Sequence, residues 1–186
     1  MEKRLRIIVC GVGFGQFYIR AIDKIKCKYK LVGIYREEAN GRNNGQKKYG
    51  VILYTDIDEI TKENVDVVCV VIKSTVVNGE GSTIVHSLLE KGINVIQEHP
   101  IDIDDYIMCI KIAQKNCCMY RLNTFYPQLS NVKQFIFLAG KLREKNDVQY
   151  INAECSVHVL FPLIDILGRA IGGVRPWKFE RVEETY

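Results

Sequence analysis

The stretch LRIIVCGVGFGQFYIRA, residues 5–21, decides how the rest of the chain reads. A β-branched run, Ile7, Ile8 and Val9, stops at a cluster of glycines. A segment with helical spacing follows: Phe14, Phe17, Tyr18, Ala21 and Ile22. Strand, tight turn and helix in that order open a doubly wound α/β domain, and the turn is shaped for a phosphate. Gly11 lets the backbone turn sharply. Gly13 has no Cβ to hold an anion away from the backbone N–H groups. The helix N-terminus behind them carries unpaired donors and a partial positive charge. In the usual pattern, G-x-G-x-x-G, a third glycine falls at position 16; here Gln16 stands there and Gly15 comes one residue early. The motif alone also fits an ordinary buried strand that ends in a glycine turn, so the stretches that follow carry the decision.

Composition narrows the options. A chain of 186 residues suffices for one good domain, burying about 70% of its unfolded surface. It is short for a dinucleotide domain plus a complete substrate domain. An apolar fraction of 47% and a charged fraction of 26% are those of a globular protein. The net charge of +4 is modest and no long basic tract occurs, so nothing points to nucleic acid. The cluster KIKCKYK, residues 24–30, reads as a solvated helix end. The N-terminus lacks the apolar core and cleavage site of a signal peptide. No run approaches the ~20 apolar residues of a membrane span. The seven cysteines are scattered without a C-x-x-C. Cys10, Cys69 and Cys155 sit in apolar runs, as buried thiols do. The adjacent pair Cys117 and Cys118 suits neither a disulfide framework nor a zinc site. These features predict a reduced, cytoplasmic protein without metal.

Along the chain, residues 30–35 read as the second strand. The polar segment after it, REEANGRNNGQKKYG, is where such a domain chooses its cofactor. A carboxylate at the strand end would bind the ribose 2′-OH of NAD, and an arginine there would accept a 2′-phosphate. Arg36, with Arg42 close by, favours NADPH, and Glu37 is the counterargument. Residues 51–54 are a short strand and 56–60 one helical turn. Residues 65–72, VDVVCVVI, read as a central parallel strand buried on both faces. Lys73, Ser74 and Thr75 end it in the loop that faces a bound cofactor. A helix over 81–92 buries Ile84, Val85, Leu88 and Leu89. A strand over 94–96 runs into Gln97, Glu98, His99 and Pro100. The next helix, 102–115, is expected to turn Ile103, Tyr106, Ile107, Ile110 and Ala113 inward. A strand over 118–122 leads into NTFYP, residues 123–127.

This alternation completes a doubly wound domain over residues 1–125. Residues 126–186 read as the start of an α+β domain. Their elements are a helix over 129–142, an alternating strand over 148–160, a helix over 161–171 stopped by Gly172 and Gly173, and a strand over 177–183. A final strand with nothing to pair against leaves an open edge, so the second domain is expected to be cut off.

Three stretches then act together: GVGFGQFY, INVIQEHP and NTFYP. An E-K-P tripeptide after a strand marks the glucose–fructose oxidoreductase-like dehydrogenases, whose second domain is an open antiparallel sheet; here His99 takes the lysine position. With EHP, NTFYP and LIDILGRAIGGVRPW (residues 163–177), the chain resembles the thiazolinyl imine reductases of siderophore biosynthesis, over about the first half of a family member. The resemblance implies a Rossmann domain followed by that open sheet. It implies NADPH-dependent reduction of a thiazoline C=N to a thiazolidine, on an intermediate tethered to a carrier domain of a nonribosomal peptide synthetase. It implies a homodimer when full length. It maps Gly11, Gly13, Phe14 and Gly15 to the pyrophosphate, Arg36 to the 2′-phosphate, Ser74 to the loop beside the cofactor and Glu98 to the nicotinamide ribose. His99 and Tyr126 match the family's proton donors. A protonated imine accepts hydride far better than a neutral one, which makes a general acid useful, and His and Tyr both carry donatable protons. By their own spacing, Tyr126 also reads as a turn aromatic and His99 as a strand-end residue bonded to backbone. Two alternatives stand beside the reductase. One is a sugar or inositol dehydrogenase, which His99 and the proline at position 162, in the place of a histidine three residues before Asp165, disfavour. The other is a non-catalytic nucleotide-binding fragment.

Overall fold

A computed structural model describes residues 3–36, 49–72, 79–176 and 178. It divides into two compact units, residues 1–123 and 124–186.

The first unit is one sheet of six strands, all parallel, in the order β3-β2-β1-β4-β5-β6. The strands are β1 (Leu5–Cys10), β2 (Tyr29–Tyr35), β3 (Ile52–Tyr54), β4 (Val67–Val70), β5 (Asn94–Glu98) and β6 (Tyr120–Asn123). Among the described residues three helices cover it: α1 (Gly15–Lys24), α2 (Glu80–Glu90) and α3 (Ile103–Lys115). Strand side chains alternate between faces, and both faces here are apolar. Ile7, Val9 and Cys69 pack with Ile19 and Ile22 of α1 on one face. Ile8, Cys10, Val68 and Val70 pack with Ile84, Val85, Leu88 and Leu89 of α2 and Cys109 and Ala113 of α3 on the other. This is the doubly wound α/β sheet expected from the sequence. The chain reverses its direction of winding between β1 and β4, which leaves a crevice at their carboxyl ends where such sheets take ligands.

Some expected packing is different. Ile103 and Ile107 are exposed at 65% and 43%, and the buried residues of α3 are Asp105, Cys109 and Ala113. These lie four apart, so the helix presents a face rotated from the one its isoleucines suggested. On α1, Phe14 and Phe17 are exposed while Gly15, Ile19 and Ile22 are buried. All seven cysteines are free, and Cys155 is exposed rather than buried.

The second unit holds a short 3₁₀ turn at Tyr126–Gln128, α4 (Ser130–Arg143), a 3₁₀ turn at Val157–Val159 and α5 (Leu160–Ile171). Gly172 ends α5 in the left-handed conformation, φ +82°, as a glycine after a helix commonly does. The alternating stretch 148–160 is not a strand. Residues 147–156 carry no regular structure, and Leu160 already begins α5. An extended segment becomes a strand only where a neighbour takes its N–H and C=O groups, and among the described residues of this unit there is no such neighbour. Val148, Tyr150 and Val157 are accordingly exposed, at 49%, 82% and 84%. The start of an open antiparallel sheet is therefore absent from the described residues. The expected strand over 177–183 lies outside them, apart from Lys178.

At the amino edge of the first sheet, Asp66 is clamped by Arg6. It accepts from Arg6 Nε at 3.1 Å, from Nη2 at 2.9 Å and from the Arg6 backbone N–H at 2.7 Å. The guanidinium hydrogen bonds hold its carboxyl down, from the ordinary 3.8 to about 2. A native-state value below the unfolded one adds stability that is complete above about pH 4 and is lost as pH falls toward 2. Chemical unfolding across that window should show the loss in the wild type, and Asp66→Asn should be less stable at pH 7 with a flatter profile between pH 4 and 2.

Candidate functional site

The glycine turn follows β1 at the crevice. Gly11 has φ +89°, and a Cβ there would meet the Val71 carbonyl oxygen at 2.6 Å. Its N–H donates to the Tyr35 carbonyl at 3.2 Å, tying the turn to the end of β2. Around Gly13, by contrast, a Cβ would have nothing within 4 Å, so its backbone faces open space. At Gly15 a Cβ would approach Val9 Cγ1 at 3.1 Å, so this glycine brings the first turn of α1 down onto β1. Sharp turn, open backbone and close helix–strand contact are the three duties of the usual glycine pattern. The early third glycine performs the last of them. Because the first N–H groups of a helix lack intrahelical partners, this turn fits a dinucleotide's pyrophosphate. Phe14 caps α1 without a side-chain bond and stacks at a tilt on Phe17, with ring centroids 4.9 Å apart.

Arg36 stands just past β2, exposed, its N–H donating to the Tyr54 carbonyl at 3.0 Å. Its backbone is thereby fixed beside the strand end that also receives the Gly11 N–H. Ser74, Glu37, Glu38 and Arg42 lie outside the described residues.

Glu98 is the last residue of β5 and pairs in register with Asn123 of β6. It is buried, at 7% exposure. A buried carboxylate needs donors, and its Oε2 has two. The Tyr18 hydroxyl of α1 donates to it, and so does Asn123 Nδ2 at 3.0 Å. Asn123 Nδ2 also lies 2.5 Å from the Tyr18 oxygen, closing a triangle. The other carboxylate oxygen, Oε1, is 3.4 Å from His99 Nε2, an ion pair when the imidazole is protonated. The His99 N–H donates to the Asn123 carbonyl at 3.1 Å, and the His99–Pro100 peptide is cis. Burial, and next the hydrogen bond to Glu98, push the Tyr18 phenol well above its ordinary value, so Tyr18 stays a neutral donor.

The structure thus brings Glu98 and His99 together and adds two residues that the sequence reading did not place in the site, Tyr18 and Asn123. A signal for Tyr18 existed: a tyrosine on the inward stripe of a helix needs a partner for its hydroxyl. Tyr126 belongs to the second unit. There it opens the 3₁₀ turn, is 36% exposed, and stands edge-on to Phe125 with centroids 5.7 Å apart.

Other features lead elsewhere. A groove of about 850 Å³ runs along α1 between Phe17 and Lys24 and past Arg4 and Tyr29, and its lining includes neither the glycine turn nor Glu98. Burial pushes the Cys10 and Cys69 thiols up, Cys69 to about 12, so neither is a ready nucleophile. Among the described residues no three His, Cys, Asp or Glu side chains gather as metal ligands. No helix among them is long and apolar enough to cross a membrane.

Tyr18→Phe keeps the ring and removes the donor to a buried carboxylate. It should lower the unfolding free energy by about 1–3 kcal/mol, read from urea denaturation followed by circular dichroism.

The sequence profile of the GFO/IDH/MocA oxidoreductase family, with an NAD-binding Rossmann fold, matches residues 5–124. No curated protein matches the chain. Among solved structures, scyllo-inositol dehydrogenase from Lactobacillus casei with bound NAD(H) and scyllo-inositol is 18% identical, with a TM-score of 0.73 over 91% of this chain and 57% of that one. GenD2 from gentamicin A biosynthesis, in complex with NAD, is 18% identical, with a TM-score of 0.66 over 77% of this chain and 41% of that one. The WlbA dehydrogenase from Bordetella pertussis, in complex with NADH and UDP-GlcNAcA, is 15% identical, with a TM-score of 0.64 over 76% and 41%. At these identities the likeness is one of fold, and the chain spans about half the length of the proteins it resembles. The glycine turn, the six-stranded parallel sheet and the match over residues 5–124 agree: the chain belongs to the GFO/IDH/MocA family of oxidoreductases.

Proposed function

We propose that the chain is an NADPH-dependent reductase of a cyclic imine, converting a thiazoline to a thiazolidine on a carrier-tethered peptide intermediate. One observation supports this most: EHP and NTFYP, two of the stretches that carry the resemblance, meet the helix after the glycine turn in one polar cluster. Tyr18 comes from GVGFGQFY, Glu98 and His99 from INVIQEHP, and Asn123 from NTFYP.

In this reading Gly11, Gly13, Phe14 and Gly15 hold the pyrophosphate through backbone N–H groups. Arg36 pairs with the 2′-phosphate, Ser74 borders the cofactor in the loop after β4, and Glu98 receives the nicotinamide ribose. A reduced nicotinamide bound there supplies hydride to the imine carbon. His99 or Tyr126 supplies the one proton that the imine nitrogen takes up. His99 is held beside Glu98, its Nε2 3.4 Å from the carboxylate. Tyr126 carries a phenolic hydroxyl and exposes part of its ring.

The rival reading, oxidation of a sugar or inositol hydroxyl, is suggested by what the solved relatives are named for. Alcohol oxidation needs a base where this chain has His99 in place of lysine and Pro162 in place of histidine. Pro162 lies buried in the first turn of α5, where it has no proton to take or give.

Two measurements test the reading. Fluorescence titration should show tighter NADPH than NADH binding, and Arg36→Ala should cost NADPH about 10- to 100-fold in affinity, as the loss of a charge-assisted bond implies, with NADH unaffected. Equal affinities in the wild type would remove the cofactor assignment. With a thiazoline thioester analogue and the full-length protein, His99→Asn and Tyr126→Phe should each lower kcat by roughly 10²–10⁴-fold while NADPH still binds. Unchanged turnover in both would take them out of the chemistry.

A further inference from the structure

Within the second unit, Thr124 stands two residues before Tyr126 and is buried, at 8% exposure. Its hydroxyl donates to Asp165 Oδ2 at 2.7 Å. Asp165 lies in the second turn of α5, and its other oxygen, Oδ1, accepts from Arg169 Nε at 2.8 Å, one turn further on. Both carboxylate oxygens are therefore engaged, one by a guanidinium and one by a buried hydroxyl. Arg169 fixes the carboxylate along the helix and leaves Oδ2 directed at Thr124.

The far side of the turn is closed by backbone. The Gln128 N–H donates to the Phe125 carbonyl at 3.0 Å and the Leu129 N–H to the Tyr126 carbonyl at 3.1 Å, with Pro127 buried between them. Tyr126 is thus held from both directions, by the turn after it and by the Thr124–Asp165 bond before it. The two tethers differ in kind. Turn closure follows from local sequence, whereas the bond to Asp165 spans 41 residues and ties the turn to a separate helix. A donor two residues from such an anchor moves with it, and a misplacement of about 1 Å at a reacting group costs on the order of 10²-fold in rate.

We propose that Asp165 is a positioning residue for Tyr126, acting through the Thr124 hydroxyl; this rests on the reading of Tyr126 as a proton donor. Arg169 serves the same end by orienting Asp165.

The test uses the full chain with Thr124→Val, Asp165→Asn, the double variant and the conservative Thr124→Ser, each studied well below its melting temperature. With a thiazoline thioester, Thr124→Val and Asp165→Asn should each lower kcat about tenfold with the KM for NADPH unchanged. Thr124→Ser should stay within twofold of wild type. The double variant should be no worse than the worse single one, because both remove the same bond. A second readout does not need turnover. The ring ¹H–¹³C signals of Tyr126, identified by their loss in Tyr126→Phe, should move in Thr124→Val and Asp165→Asn and stay in place in Thr124→Ser. Unmoved signals in the first two overturn the proposal, as does full kcat in both. Signals that move in a chain that reduces no thiazoline overturn the imine-reductase reading and leave the hold on Tyr126 standing. In the unsubstituted chain the Thr124 hydroxyl proton should be protected from exchange with water. A freely exchanging hydroxyl overturns the proposal even where a variant fails to fold.

Discussion

Ile8, Val9 and Cys10 of β1 have no measurable exposure, and Ile7 has 6%. A strand can be dry on both faces only if helices cover both and parallel neighbours take all its backbone groups. Here β2 and β4 flank it, α1 covers one face, and α2 with α3 covers the other. Much else follows from that constraint. The chain must leave β1 without a side chain at Gly11, because the Val71 carbonyl, just past the end of β4, is already there. The glycine turn is thereby placed at the carboxyl edge beside β4, and β5 and β6 add their ends to the same edge in register.

At that edge the polar contacts concentrate on a single buried carboxylate. Glu98 has its Oε2 filled by Tyr18 and Asn123 and its Oε1 near His99. The four residues come from α1, β5, the turn after β5, and β6, so the cluster also fastens the first helix to the far strands. The opposite face of β5 carries a second polar bond, from the Tyr120 hydroxyl to the buried Gln97 at 2.7 Å. The end of β5 is pinned on both sides, which suits a residue whose orientation matters.

The sequence made the first unit legible because its signals are local. The run at Ile7–Val9, the glycines after it and the stripe Ile84, Val85, Leu88 and Leu89 in α2 all read from neighbours a few residues apart, and all stand as read. Reading failed where partners are distant. The isoleucines at 103 and 107 look like a buried stripe by spacing, yet Asp105 and Cys109 take the inner face. The alternation over 148–160 has strand periodicity, but periodicity supplies no neighbour, and among the described residues the segment has none. In the polar cluster at the end of β5, Glu98 and His99 were singled out from one tripeptide. Tyr18 and Asn123 were not singled out, because their roles depend on bonds spanning 80 and 25 residues.

The early third glycine also has a rotational meaning. Successive residues of an α-helix are turned by about 100°, so the residue that touches β1 sets which others face inward. With Gly15 in contact, the inner face runs through positions 15, 18, 19 and 22, and Tyr18, Ile19 and Ile22 stand on it. A contact at position 16 would bring positions 19, 20 and 23 around instead and aim Arg20 and Asp23 at the sheet. Gly15 and Tyr18, three residues apart, thus share one face of α1, and the close contact at the glycine sets the phase that carries a phenol to the carboxylate at the end of β5.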